Sequence, residues 1–207
     1  MSVMEGTSLE QHSARQRILD STAELVIEHG VAGVAQRQIA GRVGIRAASL
    51  YHHFASKNEI VEAVFRQGID VMEQAWDDAA AATEGADPFA RLAAHVRAHL
   101  SALFDHGPYT AAHVTAFRTA PAEVRDAVVP MRDAYEARWT ELLTALADGG
   151  HLAVDTPIGL TRLTLFGAMN TTVEWFDADR GNLDELADVI TAQFWNGVAG
   201  GTDEEAT

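Results

Sequence analysis

The chain has no cysteine, which excludes both a disulfide framework and a thiolate-bound metal. Lysine is nearly as scarce. Lys57 is the single lysine beside 14 arginines. No apolar run approaches the ~18 residues that a membrane span needs, so no membrane contact is expected. Met1 to Glu10 is polar and acidic and lacks the basic-then-apolar order of a secretory signal; a cytoplasmic protein is the expectation. A phosphate-cradling glycine loop, a nucleophile elbow and a reactive thiol are all missing. Paired acids such as Asp77 and Asp78 lie at helix-surface spacing. No enzyme activity, cofactor or metal is expected.

What is present divides along the chain. The net charge of −15 is not spread evenly. Residues 1–60 carry six basic groups (Arg15, Arg17, Arg37, Arg42, Arg46 and Lys57) against six acidic ones, whereas residues 61–207 carry nine arginines against 24 acids. Phosphate binding requires local positive potential rather than a basic protein overall, so any nucleic-acid surface belongs in the first 60 residues.

Apolar residues recur at helical spacing nearly throughout, and no segment alternates as a strand. The expected class is all-α with about nine helices. Gly30 should stop a first helix beginning at Ser13, with short helices over 36–41 and 47–53. A long fourth helix runs from Lys57 to about Thr83, a fifth from Pro88 to His106, and a sixth from Pro108 to Thr119. Pro130 should kink or split a seventh helix that reaches Asp148, because proline lacks an N–H and clashes with the preceding turn. Thr156 and Pro157 should start an eighth helix ending near Phe176. Asn182, with Glu185 three residues on, should cap a ninth. The expected organisation is a disordered arm over 1–12, a DNA-binding domain over 13–60, a ligand-binding and dimerisation domain over 61–199, and a disordered tail over 200–207.

The segment from Arg37 to Phe54 reads as a helix-turn-helix. A steep crossing of two short helices needs a small residue in the first and a turn residue that accepts positive φ; Ala40 and Gly44 meet those demands. Ile39, Val43, Ile45, Leu50 and Phe54 can bury one face against Ile18, Leu25 and Val26. Ala47, Ala48, Ser49, His52 and His53 are left for a major groove. With "IAGRVGI" ahead of "LYHHFASKNE", this run resembles the TetR (tetracycline-repressor) family over about residues 13–66. The resemblance implies phosphate contacts at Tyr51, His52 and Lys57 and base reading at Arg37 and Ser49. Ala47 stands where the family often has lysine, a role that passes to Arg46. Val34-Ala35 replaces the usual Ser or Thr cap of the second helix.

For the rest of the chain the resemblance implies a ligand-binding domain that dimerises through helices eight and nine, on a palindromic double-stranded operator. The residues agree independently: these helices are apolar over more than one stripe and need two partners each. Leu163, Gly167, Trp175 and Phe194 are the expected dimer contacts. The run from Phe166 to Phe176 resembles the eighth helix of TetR-type regulators of lipid and steroid catabolism, which implies an acyl-coenzyme A effector; a neutral lipophile is the alternative. Expected effector contacts are Phe104, Phe117, Arg118, Trp139, Phe166 and Asn170, with Arg125 and Arg132 as further phosphate partners. His95 and His99 lie one helical turn apart, a spacing that can chelate zinc or nickel. No third ligand sits at a reinforcing distance on that helix.

Overall fold

The computed structural model describes the backbone of residues 2–198 and the side chains of residues 14–198; the expected tail over 200–207 lies outside the described residues. Among the described residues there are nine α-helices and no strand. In chain order they are α1 (Ser2–Gly33), α2 (Gln36–Val43), α3 (Ala47–Leu50), α4 (Lys57–Ala82), α5 (Pro88–Phe104), α6 (Tyr109–Ala116), α7 (Ala122–Asp148), α8 (Ile158–Asn170) and α9 (Leu183–Val198). The all-α expectation holds. No described helix is long and apolar enough to cross a membrane.

Local chemistry accounts for the helix ends. Gly30 breaks α1 with a φ of 67°, a conformation nearly free for glycine and costly for other residues. The start of α1 differs from expectation: the helix extends back to Ser2 instead of leaving 1–12 as an arm. No proline interrupts that stretch, and adding residues to an existing helix costs far less than nucleating one. Asp87 caps α5 by accepting from the Ala90 N–H at 3.0 Å, with Pro88 in the first turn. Asn182 caps α9 by accepting from the N–H groups of Asp184 and Glu185. Thr156 does not cap α8. Its hydroxyl donates to the Ala153 carbonyl instead, so α8 begins after Pro157. Nor does Pro130 split α7. The turn it loosens is held from α4: Arg66 donates through Nη2 to the Ala127 carbonyl at 2.8 Å.

Two compact units organise these helices. The first contains residues 1–71 and 106–132, the second 72–105 and 133–207. The unit that holds the helix-turn-helix therefore reaches beyond residue 60. It includes α6 and the start of α7, because a three-helix head alone has little core. Inside it, α1 buries Ile18, Leu19, Ala23, Leu25 and Val26 against α2 and α6. α6 is anchored by a polar joint in which the Tyr109 hydroxyl donates to Asp20 and accepts from Gln16 Nε2 at 2.6 Å. Burial first, and the Asp20 carboxylate second, push the Tyr109 phenol well above its ordinary range. Thr110 donates to the Gly68 carbonyl of α4 at 3.0 Å.

In the second unit α5 packs along α9 and also meets α8. Its core centres on Trp139, Leu143, Leu146, Leu92, Val96 and Leu100, all fully buried.

Candidate functional site

α2 ends in a left-handed Gly44 (φ 78°), and the Ile45 N–H bonds back to the Ala40 carbonyl at 3.0 Å, which closes the helix terminus and turns the chain toward α3. The Val34-Ala35 entry works without a hydroxyl cap. The Gln38 side chain reaches back to accept from the Ala35 N–H at 2.7 Å. α3 is one turn long. His53 and Phe54 continue it as a turn, both donating N–H groups to the Leu50 carbonyl at 2.9 Å, with Leu50 and Phe54 buried beneath.

This arrangement leaves Arg37, Arg46, Ala47, Ala48, Tyr51 and His52 exposed and Ser49 half-buried on the surface of the motif. Tyr51 is 60% exposed, and its hydroxyl donates to Gln36 at 3.0 Å, which ties the end of α3 to the start of α2. His53 is half-buried. Arg42 belongs elsewhere: it makes a bidentate pair with Glu28 and reaches Glu24 at 3.4 Å.

Lys57 differs most from its sequence reading. Its ammonium donates to the carbonyls of Val31 and Val34, each at 3.0 Å, and so closes the carbonyls left open past the Gly30 break. Replacing Lys57 with Ala should strip these acceptors and destabilise the protein by ~1–3 kcal/mol. If the tie is the main role, DNA affinity falls while its salt slope stays unchanged. A loss of about one ion per subunit from the slope would restore a phosphate contact. Thermal melts and salt-dependent binding of the one variant decide between them.

In the second unit the expected effector contacts pack against neighbouring side chains. Trp139 is fully buried; Phe166 lies edge-on to His99 at 5.5 Å and to Trp139 at 5.6 Å; Phe104 meets Phe176 edge-on at 5.3 Å. Asn170 Oδ1 lies 2.9 Å from His99 Nε2, and the Tyr135 hydroxyl lies 2.9 Å from His99 Nδ1. Because an amide oxygen only accepts, His99 carries its proton on Nε2 and accepts from Tyr135 on Nδ1. Phe117 and Arg118 belong to the first unit, where Phe117 packs beside Phe65 and under the Arg132 guanidinium and Arg118 is exposed. Arg125 donates to the Ala120 carbonyl. Within the second unit, Phe104, Trp139, Phe166 and Asn170 are therefore each engaged with neighbouring side chains.

A cleft of about 340 Å³ opens instead beside the ring cluster, lined by Trp76, Ala80, Arg91, His95, Arg138, Glu141, Leu142 and Ala145. Sequence reasoning singled out His95 here and missed Trp76, Arg91 and Arg138. The available signal was spacing, since Arg91 precedes His95 by four residues and so shares its face of α5.

Burial lowers the pKa of His95 to about 4, helped by the charges of Arg91 and Arg138; burial lowers that of His99 to about 4 against the opposing hydrogen bond that it donates to Asn170. In the unfolded chain these groups titrate near 6.5. The unfolded state therefore binds more protons between those values. The stabilisation is fully present above pH 6.5 and is lost as pH falls toward 4. For His99 the full loss is ~3 kcal/mol. Urea unfolding at pH 7, 6 and 5 should show the decline, and His99→Gln should flatten it by about one proton; an unchanged slope would contradict the neutral, buried assignment.

On α8, Leu160 and Leu163 are 65% and 57% exposed and Trp175 beyond it 63%, while a Cβ at Gly167 would meet nothing within 4 Å. Half-buried Phe194 of α9 lines a neighbouring groove with Leu160 and Thr164.

Two family models match the chain. "Bacterial regulatory proteins, tetR family" covers residues 18–64, and "Tetracyclin repressor-like, C-terminal domain" covers 85–198. The chain belongs to the TetR family. It is a TetR-type transcriptional regulator with an N-terminal DNA-binding helix-turn-helix and a C-terminal helical domain. The HTH-type transcriptional repressor KstR2 of Mycobacterium tuberculosis is 25% identical over 166 residues, which span 80% of this chain and 82% of that protein. The solved structure of KstR2, a ketosteroid transcriptional regulator, matches with a TM-score of 0.76 at 24% identity over 90% of this chain and 95% of that one. AibR in complex with isovaleryl coenzyme A and operator DNA matches at 0.77, 21% identity and 87% and 97% coverage. FadR of Bacillus subtilis in complex with stearoyl-CoA matches at 0.71, 22% identity and 88% and 98% coverage. These structural likenesses establish a shared fold.

Proposed function

We propose that this TetR-type regulator is a repressor that binds a palindromic operator as a homodimer and is released by an acyl-coenzyme A thioester. The observation that carries the reading is the pairing of an exposed groove-sized face at Arg37, Arg46, Ala47, Ser49, Tyr51 and His52 with a second unit that holds a ligand-sized cleft. Dimerisation is supported by the apolar face of α8, since Leu160, Leu163 and Trp175 in water are unfavourable unless covered. The effector class is supported by AibR and FadR, each solved with an acyl-CoA.

α4 contributes residues to both units, and this continuity supplies the coupling. The two recognition helices of a dimer must sit one DNA turn apart, roughly 34–36 Å. A small effector-driven tilt of α4 in each subunit spoils that spacing, and a preference of a few kcal/mol for the non-binding form is enough to empty the operator. The test is a DNA-binding titration with acyl-CoAs of several lengths, their free acids and coenzyme A. Release by thioesters supports the reading; indifference to the whole panel, with release by a neutral lipophile, replaces it with a drug-type sensor.

A further inference from the structure

The cleft in the second unit holds one buried imidazole with an unpartnered nitrogen and one half-exposed guanidinium with no ion pair among the described residues. His95 is 3% exposed, stacks on Trp76 with ring centroids 3.9 Å apart, and its Nδ1 has no hydrogen-bond partner among the described residues. A buried polar atom left unpaired is costly, and because the same imidazole lines the cleft, a group that enters there meets the ring that carries it. One turn away on the same face, Arg91 has no ion-pair partner among the described residues. The other guanidinium in the cleft is already engaged: Arg138 pairs with Glu73 at 2.9 Å and with Asp77 and lies 5.3 Å over the Trp76 ring. Trp76, Ala80, Leu142 and Ala145 supply an apolar wall, and Glu141 sits on the rim.

We propose that this cleft binds an organic anion, whose carboxylate or phosphate oxygens lie between the Arg91 guanidinium and the His95 imidazole while its aliphatic or ring portion rests on Trp76 and Leu142. The proposal rests on the sensor reading above and gives that sensor a recognition chemistry. It assigns the anion-gripping role to Arg91. The geometry adds a proton to the binding step. Unliganded, His95 shares the cleft with Arg91 from its own helix and with Arg138 and Glu141 from α7; both arginines oppose its protonation, but Arg138 is paired with Glu73 and Asp77 of α4, whereas Arg91 is open to an arriving anion. An anion on Arg91 removes that repulsion and offers an acceptor, so His95 takes one proton from solvent as the anion docks. Both nitrogens then donate, and the charge-assisted bonds are the stronger kind.

The test is calorimetry on the full-length protein with octanoate, octanoyl-coenzyme A, coenzyme A and inorganic phosphate, each at pH 6 and 8 and in two buffers of different ionisation enthalpy. The expected result is binding of at least one organic anion, tighter at pH 6, with close to one proton taken up. Octanoate alone identifies a carboxylate as the anchor, and coenzyme A alone identifies a phosphate. Arg91→Gln should weaken binding ~10-fold or more. His95→Phe, which keeps the stack on Trp76, should weaken it and abolish the proton uptake; melting curves confirm that both variants fold. No binding by any organic titrant, or binding that is indifferent to both substitutions, overturns the site. Operator release, measured in parallel, separates the two readings. An anion that binds through Arg91 without releasing DNA upholds the site and sinks the acyl-CoA effector; thioester release that persists in Arg91→Gln does the reverse.

Discussion

Gly68→Ala is expected to destabilise the protein and cut DNA binding, whereas Gly41→Ala should do the opposite to stability. Both glycines lie inside helices, so alanine gains up to ~1 kcal/mol of helix propensity at either position. The surroundings decide the sign. At Gly41 a Cβ meets nothing within 4 Å, but at Gly68 it would come to 2.6 Å from the Tyr109 carbonyl oxygen and 3.1 Å from Thr110 Cα. These are backbone atoms, and no rotamer change relieves the clash. Overpacking of this kind costs ~1–3 kcal/mol and occasionally more, enough to outweigh the propensity gain. α6 must then lift from α4, and the Tyr109–Asp20–Gln16 joint with α1 is strained with it. Paired melting curves and operator titrations should show a lower Tm and at least ~10-fold weaker binding for Gly68→Ala, beside a raised or equal Tm for Gly41→Ala. Equal behaviour of the two variants would mean that α6 is not seated as described.

The second large effect concerns assembly. Gly167→Glu places a carboxylate in the middle of the exposed apolar face of α8, where nothing within the subunit would crowd it. In a monomer this is a surface substitution worth ~0.5 kcal/mol or less. Across a packed two-fold seam it buries an unpaired charge twice, a penalty of several kcal/mol per ion. Light scattering at micromolar concentration should report a dimer for the wild type and monomers or aggregates for the variant, with operator binding lost at unchanged helix content. A wild-type monomer would remove the dimer from the proposed function.

The head was legible because its constraints are local. Ala40, Gly44 and Leu50 are dictated by a turn and the face beneath it, and Gly30 ends α1 because a positive φ there is nearly free for glycine. Longer-range consequences were not. Nothing adjacent to Lys57 in sequence reveals that its ammonium closes the carbonyls of Val31 and Val34, 26 and 23 residues earlier. Apolar character at Phe104, Trp139 and Phe166 does not distinguish a pocket wall from a core, because rings at helical spacing fill each other's gaps as readily as they line a cavity. The cleft lies one layer over, where Arg91 and His95 share a face of α5. Pro130 stands inside a continuous α7, in a turn to which Arg66 donates at the Ala127 carbonyl, 61 residues away in sequence.

Lys57 has a practical consequence as well. The chain contains a single lysine, and its amine is engaged with two carbonyls and partly buried. Acylating reagents and acetyl donors act on a free, deprotonated amine, so in the folded protein this side chain should react far more slowly than a solvent-exposed lysine. Its labelling rate becomes a clock for opening of the collar at Val31 and Val34, readable at one site by mass spectrometry, with no competing lysine to obscure it.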